Sequence, residues 1–167
     1  ASMDRSLTIE AHVLPAERLN ELDARDFDGA ISTFGGLNTI DDLAQLAAEL
    51  HTRLKPGGRL IVHALGTFCF WQWSAAIVRG RPRRRGINTD FGGQIIQHRL
   101  YNPDNLWRTH FASYFDRRSV YALSVVAAPS VVKRWPPLSR GLFTLDRIIG
   151  RIFPSAGDFF VMDLRRR

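Results

Sequence analysis

The chain has 167 residues, of which 45% are hydrophobic and 23% are charged, the proportions of an ordinary globular protein. These values exclude collagen-like, low-complexity and disordered chains, and the length corresponds to one domain or at most two. The single cysteine, Cys69, cannot form an internal disulfide, which excludes a disulfide-stapled secreted scaffold and predicts a reducing, cytoplasmic location.

The net charge of +7 is concentrated in two arginine runs, five arginines between residues 79 and 85 and a second run at Arg165–Arg167. The remaining basic residues nearly balance the 16 acidic ones. Because a nucleic-acid-binding protein more often spreads its basic residues over a whole face among stacking aromatics, we disfavour a nucleic-acid partner. The 79–85 run either binds an acidic substrate or phosphate, or is a solvated loop.

The first predicted element is a strand at Leu7–Leu14 (LTIEAHVL), where apolar and polar residues partly alternate. A buried strand is predicted over residues 27–33, followed by a loop with Gly35 and Gly36. An amphipathic helix follows, because five apolar residues recur at i, i+3, i+4, i+7 and i+11. They are Leu43, Leu46, Ala47, Leu50 and Leu54. Thr39 with Asp42 forms a candidate capping box, and Asn38 is an alternative cap.

Lys55-Pro56-Gly57-Gly58 is predicted to stop this helix, because proline cannot continue it and glycine provides the left-handed exit. The apolar run Arg59–Leu65 then predicts a second strand. Strand, helix and strand in this order predict a βαβ unit, which requires a parallel sheet. The uncharged stretch from Leu60 to Val78 is nearly as long as the roughly 20 residues of a membrane span. Its polar residues and its split into a β-rich and an aromatic half instead predict a strand, a loop and a buried helix.

The rest of the sequence predicts alternating helices and strands. Asn102 or Asn105 is the predicted cap of the helix at Pro103–Tyr114. Basic and apolar residues in FTLDRIIGRIF give the last helix an amphipathic pattern. This helix either lies on a membrane surface or packs against the sheet. The predicted elements are a helix at Phe68–Val78, a strand at Gln94–Tyr101, a helix at Pro103–Tyr114, a strand at Ser119–Ala127, a helix at Leu138–Ile152 and a strand at Gly157–Leu164.

The segment FDGAISTFGGLN, an amphipathic helix and then LKPGGRLIVHALG resemble the middle of a class I S-adenosylmethionine (SAM)-dependent methyltransferase. The resemblance covers about residues 7–165 and includes the closing antiparallel strand pair of that family. It implies a Rossmann-like α/β fold, with a mainly parallel sheet, helices on both faces and an antiparallel C-terminal strand pair. It further implies a single domain over residues 1–167 with a substrate-side insert at about 68–115, SAM as cofactor and a small-molecule methyl acceptor.

One departure from the family concerns the start of the chain. The family's glycine-rich cofactor loop would lie before Phe27, and no G-x-G stretch occurs there. We therefore expect the chain to correspond to the C-terminal two-thirds of a methyltransferase, which agrees with its start at Ala1, and to bind SAM weakly or not at all. An incomplete sheet would also leave an unpaired strand edge that invites self-association.

The resemblance assigns cofactor-site roles to two segments. Ser32, Thr33 and Phe34 follow the family's fourth strand and would line the SAM pocket; otherwise they form a plain strand-to-helix loop. Ala16 and Glu17 match the segment that flanks the adenine, although the acidic residue often found just before it is Pro15 here. Glu17 is otherwise an ordinary carboxylate at a helix start.

Substrate-site roles fall on aromatic residues and one histidine. Phe68 and Trp71 follow the fifth strand and would form a substrate pocket wall, or else a core-facing helix. His98 and Tyr101 lie on an inserted strand that could face the pocket, where His98 is either a base or a structural residue. The cysteine and histidine spacings fit no zinc site, so no metal is expected.

Three functions remain open at this point. The first is an incomplete SAM-dependent methyltransferase. The second is a non-catalytic α/β interaction domain that has lost its cofactor loop. The third is a basic module that binds nucleic acid or a membrane surface through the arginine runs.

Overall fold

A computed structural model describes residues 10–68, 77, 80, 87–91, 93–127, 132–133 and 136–167. Short 3-10 helices cover Ala16–Glu21, Gly36–Thr39 and Pro136–Leu138, and a π-helical turn at Trp107–Phe111 continues the second α-helix. The other elements are β1 (Phe27–Ser32), α1 (Leu43–Arg53), β2 (Leu54–Leu65), β3 (Ile87–Phe91), β4 (Gln94–His98), α2 (Pro103–Leu106), β5 (Phe115–Leu123), α3 (Ser139–Ile152) and β6 (Phe159–Arg166).

Four strands form one open sheet in the order β1-β2-β6-β5, and β3 pairs with β4 in a separate antiparallel hairpin. β1 and β2 are parallel and joined through α1, which confirms the predicted βαβ unit. β6 is antiparallel to both β2 and β5, which confirms the expected closing strand pair. The architecture is therefore the expected Rossmann-like α/β fold, but the described sheet is not mainly parallel, because β1–β2 is parallel whereas β2–β6 and β6–β5 are antiparallel.

Helix α1 begins at a different cap from the predicted ones. The Asp42 carboxylate accepts a hydrogen bond from the backbone N–H of Gln45 at 2.9 Å and is the N-cap. Thr39 instead donates its hydroxyl to the Gly36 carbonyl, and Asn38 is fully buried. The capping-box and Asn38 predictions were wrong because both residues belong to the 3-10 helix that precedes α1.

Helix α1 ends at Arg53, just before the predicted Lys55–Gly58 stop, but the predicted left-handed glycine exit was wrong because the C-cap Leu54 is already extended and begins β2. Phe27 pairs with Leu54 and Gly29 with Arg59, so the four intervening residues bulge out of the ladder. Gly57, at a φ of 76°, adopts the left-handed conformation within this bulge. Lys55 Nζ lies 2.7 Å from an Asp28 carboxylate oxygen, which raises the pKa of Lys55 and lowers that of Asp28.

The predicted strand at Leu7–Leu14 is wrong over residues 10–14, which have no regular secondary structure. Residues 7–9 lie outside the described residues. A strand forms where its backbone groups pair with a neighbour, and alternation alone does not supply that neighbour. None of the described strands pairs with residues 10–14.

Most later elements match their predictions with shifted ends. The Asn102 side chain caps α2 by accepting from the N–H groups of Asp104 and Asn105 at 3.0 and 3.2 Å. β5 starts at Phe115, four residues early, and ends where Ser124 adopts a φ of 58°. α3 and β6 lie close to their predicted ranges. The predicted helix at 68–78 falls almost wholly outside the described residues.

One face of the sheet forms the core. Alternate residues of β2 and β6 are fully buried there, against the apolar side of α1 and the rings of Phe111 and Phe115. They are Leu60, Val62, Ala64, Phe160, Met162 and Leu164. The opposite face, with Ile61, His63 and Val161, is only half-buried. In the described part of the chain no helix is long and apolar enough to cross a membrane.

Candidate functional site at the carboxyl ends of β1 and β2

The loop after β1 adopts an unusual backbone conformation. Phe34 and Gly35 both have left-handed torsion angles, with φ values of 54° and 71°. Glycine adopts this conformation freely, whereas for a bulky residue such as Phe34 it is strained and often marks a functional site. The turn leaves the Phe34 side chain 89% exposed. The Phe34 ring is therefore exposed to solvent at the carboxyl end of the parallel strand β1.

His63 of β2 fixes this loop. The backbone N–H of Phe34 donates to Nδ1 of His63 across 3.0 Å. The imidazole stacks on the Phe159 ring, with centroids 4.9 Å apart and planes 17° from parallel. Burial lowers the pKa of His63, so the ring stays neutral and Nδ1 remains a hydrogen-bond acceptor.

Asn38 connects three separate segments at this end of the sheet. Its side-chain amide donates to the carbonyls of Leu65, at 3.2 Å, and of Arg99, and its Oδ1 accepts from the Leu65 N–H at 2.9 Å. Its own carbonyl accepts from the Arg99 N–H at 2.8 Å. These bonds hold the loop after β1, the end of β2 and the chain leading to Tyr101 together.

Tyr101 lies directly beside the end of β2. Its N–H donates to the Leu65 carbonyl and its carbonyl accepts from the Thr67 N–H, each at 3.1 Å, so Tyr101 and Gly66 form a short parallel bridge. A side chain at Gly66 would come within 2.7 Å of the Gly157 carbonyl. Glycine at position 66 therefore permits the two backbones to approach closely. The half-buried Phe68 follows two residues later.

Five of the nine residues assigned from sequence are thereby brought to one edge. Ser32 ends β1 and Thr33 and Phe34 follow it, while Phe68 and Tyr101 lie at the end of β2. His98 is on β4, three residues before Tyr101, and its buried Nδ1 has no hydrogen-bond partner among the described residues. Trp71 lies outside the described residues.

Ala16 and Glu17 lie in the first 3-10 helix, which packs against α1. Leu19 and Leu22 of the same segment line an apolar groove of about 210 Å³ with Phe27, at the opposite end of β1. Glu17 is exposed and makes no hydrogen bond with another described residue. The described contacts therefore do not join this segment to the loop after β1.

Sequence reasoning missed Asn38 as a site residue, along with His63 and Phe159. Asn38 was considered only as a helix cap. His63 had a usable signal, because it follows Ile61 in the two-residue alternation of β2 and so lies on the face opposite Val62. A polar side chain near the carboxyl end of a buried parallel strand is a reasonable candidate for a site residue.

No protein-family model and no curated protein matches the sequence. Among solved structures, the chain is similar to a protein from Listeria monocytogenes assigned as a SAM-dependent methyltransferase, with a TM-score of 0.54 and 12% identity over 89% of this chain and 66% of that one. It is also similar to a SAM-dependent methyltransferase from Methanosarcina mazei, with a TM-score of 0.53 and 14% identity over 91% of this chain and 64% of that one.

The chain thus spans less than two thirds of the length of either structure. At these identities the similarity concerns the fold. Taken with the strand order and the closing antiparallel pair, it shows that the chain has the fold of the class I SAM-dependent methyltransferases.

Proposed function

We propose that these residues belong to an enzyme that transfers a methyl group from SAM to a small-molecule acceptor. The observation that carries the proposal is the strained, exposed Phe34 at the carboxyl ends of the parallel strands. Open α/β sheets bind their ligands at this edge. Gly66, Phe68 and Tyr101 line the same edge, and the fold is that of methyltransferases.

The loop after β1 fits one wall of a SAM site. Phe34 offers an exposed aromatic face to an adenine or ribose. Among the described residues, a Cβ at Gly36 would meet only the Ser32 hydroxyl within 4 Å, so a ligand can approach the backbone here. Ser32 and Thr33 add hydroxyl groups. Bound SAM supplies an activated sulfonium methyl group. By resemblance, Ala16 and Glu17 would flank the adenine.

The acceptor would lie over the insert at residues 68–115. Phe68, Trp71 and Tyr101 would form its apolar wall, which excludes water and aligns the acceptor atom for in-line attack. Where the acceptor must lose a proton, our candidate base is Nδ1 of His98, which has no hydrogen-bond partner in the described part of the chain. The single cysteine supports a reducing, cytoplasmic setting for this chemistry.

The alternative function is a non-catalytic interaction domain. Two observations favour it: the sequence has no G-x-G stretch before Phe27, and no described strand pairs with the outer edge of β1. The alternative predicts no specific response to the cofactor or its product. Specific binding of the cofactor product at the loop after β1, even if weak, would therefore favour the enzyme over this alternative.

Titration of the chain with S-adenosylhomocysteine, followed by amide NMR shifts, tests the proposal. We expect shifts confined to residues 32–36 and 66–68, with an affinity weaker than micromolar because the chain contributes one wall of the site. Phe34→Ala should abolish these shifts, and Ile95→Ala, a control at an exposed position on β4, should leave them unchanged.

Two results would count against these expectations. Absence of shifts at both segments, or equal shifts in Phe34→Ala, would favour the interaction domain. Micromolar SAM affinity measured by calorimetry would show that the expectation of weak binding is wrong.

A further inference from the structure

Helix α3 is fixed to the sheet by one particular side. Its Asp146 is buried, and the carboxylate accepts from the N–H groups of Ser124, Val126 and Ala127 at 3.0, 2.7 and 3.1 Å. Gly150, one turn later, packs so closely on β5 that a Cβ there would overlap the Ala122 carbonyl. These contacts determine which face of α3 is turned outward.

The outward face is the apolar one. Leu145, Ile148 and Ile152 follow one another at i, i+3 and i+7 and are 46%, 53% and 63% exposed. Leu138, the N-cap directly before the helix, and Phe153, the C-cap directly after it, are also exposed. A helix of a globular protein normally buries its apolar stripe. In α3 the buried positions are instead an aspartate and a glycine, with Leu142 and Ile149 half-buried beside them.

Uncompensated positive charge borders this apolar stripe. Arg140, Arg147 and Arg151 share the adjoining face of α3 and are exposed. In the part of the chain that the structure describes, none of the three makes an ion pair. The helix's one acidic residue, Asp146, is turned inward. The exposed surface of α3 therefore combines apolar side chains with cations.

We propose that α3 lies in the interface of an anionic lipid bilayer. Leu145, Ile148 and Ile152 would enter the boundary of the acyl chains, and the arginines would contact headgroup phosphates. This is the residue pattern of helices that lie in the plane of a membrane. The 14 residues of α3 are too few for a span of about 20. The inference does not depend on the proposed methyl transfer.

Two other occupants fit the observations less well. A second copy packed across a two-fold axis would bring two arginine rows together, and like charges repel. A nucleic acid would use the arginines but gain nothing from the apolar stripe, because its phosphates are bound by charge. A lipid surface uses both features at once.

Flotation of the full chain with vesicles tests the proposal. We expect binding to vesicles of phosphatidylcholine with phosphatidylglycerol, and little binding to phosphatidylcholine alone. Leu145→Asn with Ile148→Asn should weaken binding at least tenfold, because buried apolar area drives insertion. Arg147→Gln and Arg151→Gln should each weaken it about fivefold. Ile95→Asn, at an exposed apolar position on β4, is the matched control and should bind normally.

Thermal melting of each variant shows whether it is folded, and sedimentation shows its oligomeric state. Equal binding to neutral vesicles, or binding that only the arginine variants weaken, would overturn the proposal. It would also be overturned if the asparagine variants bound normally but melted at lower temperature, because the stripe would then be covered by this chain itself. Dissociation of a dimer by these variants, without vesicle binding, would identify a second copy as the occupant.

Discussion

At the residue scale, Asn38 shows how one buried amide can position a site. It is completely buried, and its hydrogen-bond partners Leu65 and Arg99 are 27 and 61 residues away in sequence. Its oxygen and nitrogen both bond to backbone groups, so the side chain mimics a short stretch of strand between the segments. The loop after β1 and the chain before Tyr101 depend on it for their spacing.

Asn38→Ala should lower the free energy of unfolding by about 1–3 kcal/mol, because part-buried backbone groups of Leu65 and Arg99 would lose their hydrogen bonds to the Asn38 side chain. Urea denaturation measures this change. Asn105→Ala is the matched control: Asn105 is exposed, and its loss should change stability by less than about 0.5 kcal/mol. Similar values for the two variants would mean that Asn38 does not join the segments.

His63 should make stability depend on pH. Its pKa in the folded state is lowered by burial from the ordinary 6.5, so the unfolded chain binds the proton more readily. The neutral form's contribution to stability is therefore fully present above about pH 6.5 and is lost as the pH falls toward the lower, folded-state pKa. The pKa of His51, lowered by burial and then by Arg166, acts in the same direction.

We expect the urea concentration at the unfolding midpoint to decrease as the pH is lowered from 7 to 5. Over the same range, the Phe34 amide resonance should move as the hydrogen bond to His63 is lost. His63→Gln should reduce the pH dependence, and His51→Gln with His63→Gln should reduce it further. A pH profile of His63→Gln identical to that of the unchanged chain would contradict this assignment.

The site residues differ in how far sequence could identify them. Ser32, Thr33 and Phe34 could be placed at the end of β1 from the strand pattern and the family resemblance. The roles of Asn38 and His63 could not, because they arise from contacts between segments far apart in the chain. Tyr101 was expected on a strand, but its pairing with Gly66 likewise depends on tertiary structure.

At the element scale, periodicity predicted α1, β2 and β6 because their apolar faces are buried in one core. The same reasoning failed for residues 10–14, with which none of the strands that the structure describes pairs. It also could not show that α3 would turn its apolar side outward. That orientation depends on the close packing of Gly150 on β5, which the pattern of apolar residues does not encode.

Two glycine substitutions in α3 test this orientation. Gly150→Ala should destabilise the fold by about 1–3 kcal/mol, because the new methyl group would overlap the Ala122 carbonyl. Gly141→Ala lies in the same helix, and no atom of the described residues comes within 4 Å of its Cβ position; this change should stabilise the fold by up to about 1 kcal/mol through helix propensity. Thermal and urea unfolding measure both, and effects of the same sign would contradict the packing of α3.

At the scale of the whole molecule, the sheet is open at β1. No described strand pairs with its outer edge, and Ile31 on this strand is exposed. Unpaired strand edges promote association between chains. The predicted self-association therefore has a structural basis in β1, although the strand order alone does not identify its partner.

Sedimentation velocity should show oligomers that increase with protein concentration. Ile31→Lys should shift the equilibrium toward the monomer, because a charge on an edge strand disfavours further pairing. Val13→Lys is the control, since Val13 is fully exposed but lies outside the strands. A monomer at every concentration, or an equal effect of both lysines, would show that the β1 edge is not used.

The position of β6 has a consequence for synthesis of the chain on the ribosome. β6 lies between β2 and β5, yet it follows both of them in sequence. β1, α1 and β2 can assemble as soon as they emerge, but the second edge of β2 and the inner edge of β5 must wait for residues 159–166. Until those residues leave the exit tunnel, the nascent chain exposes two strand edges that belong in the middle of the finished sheet.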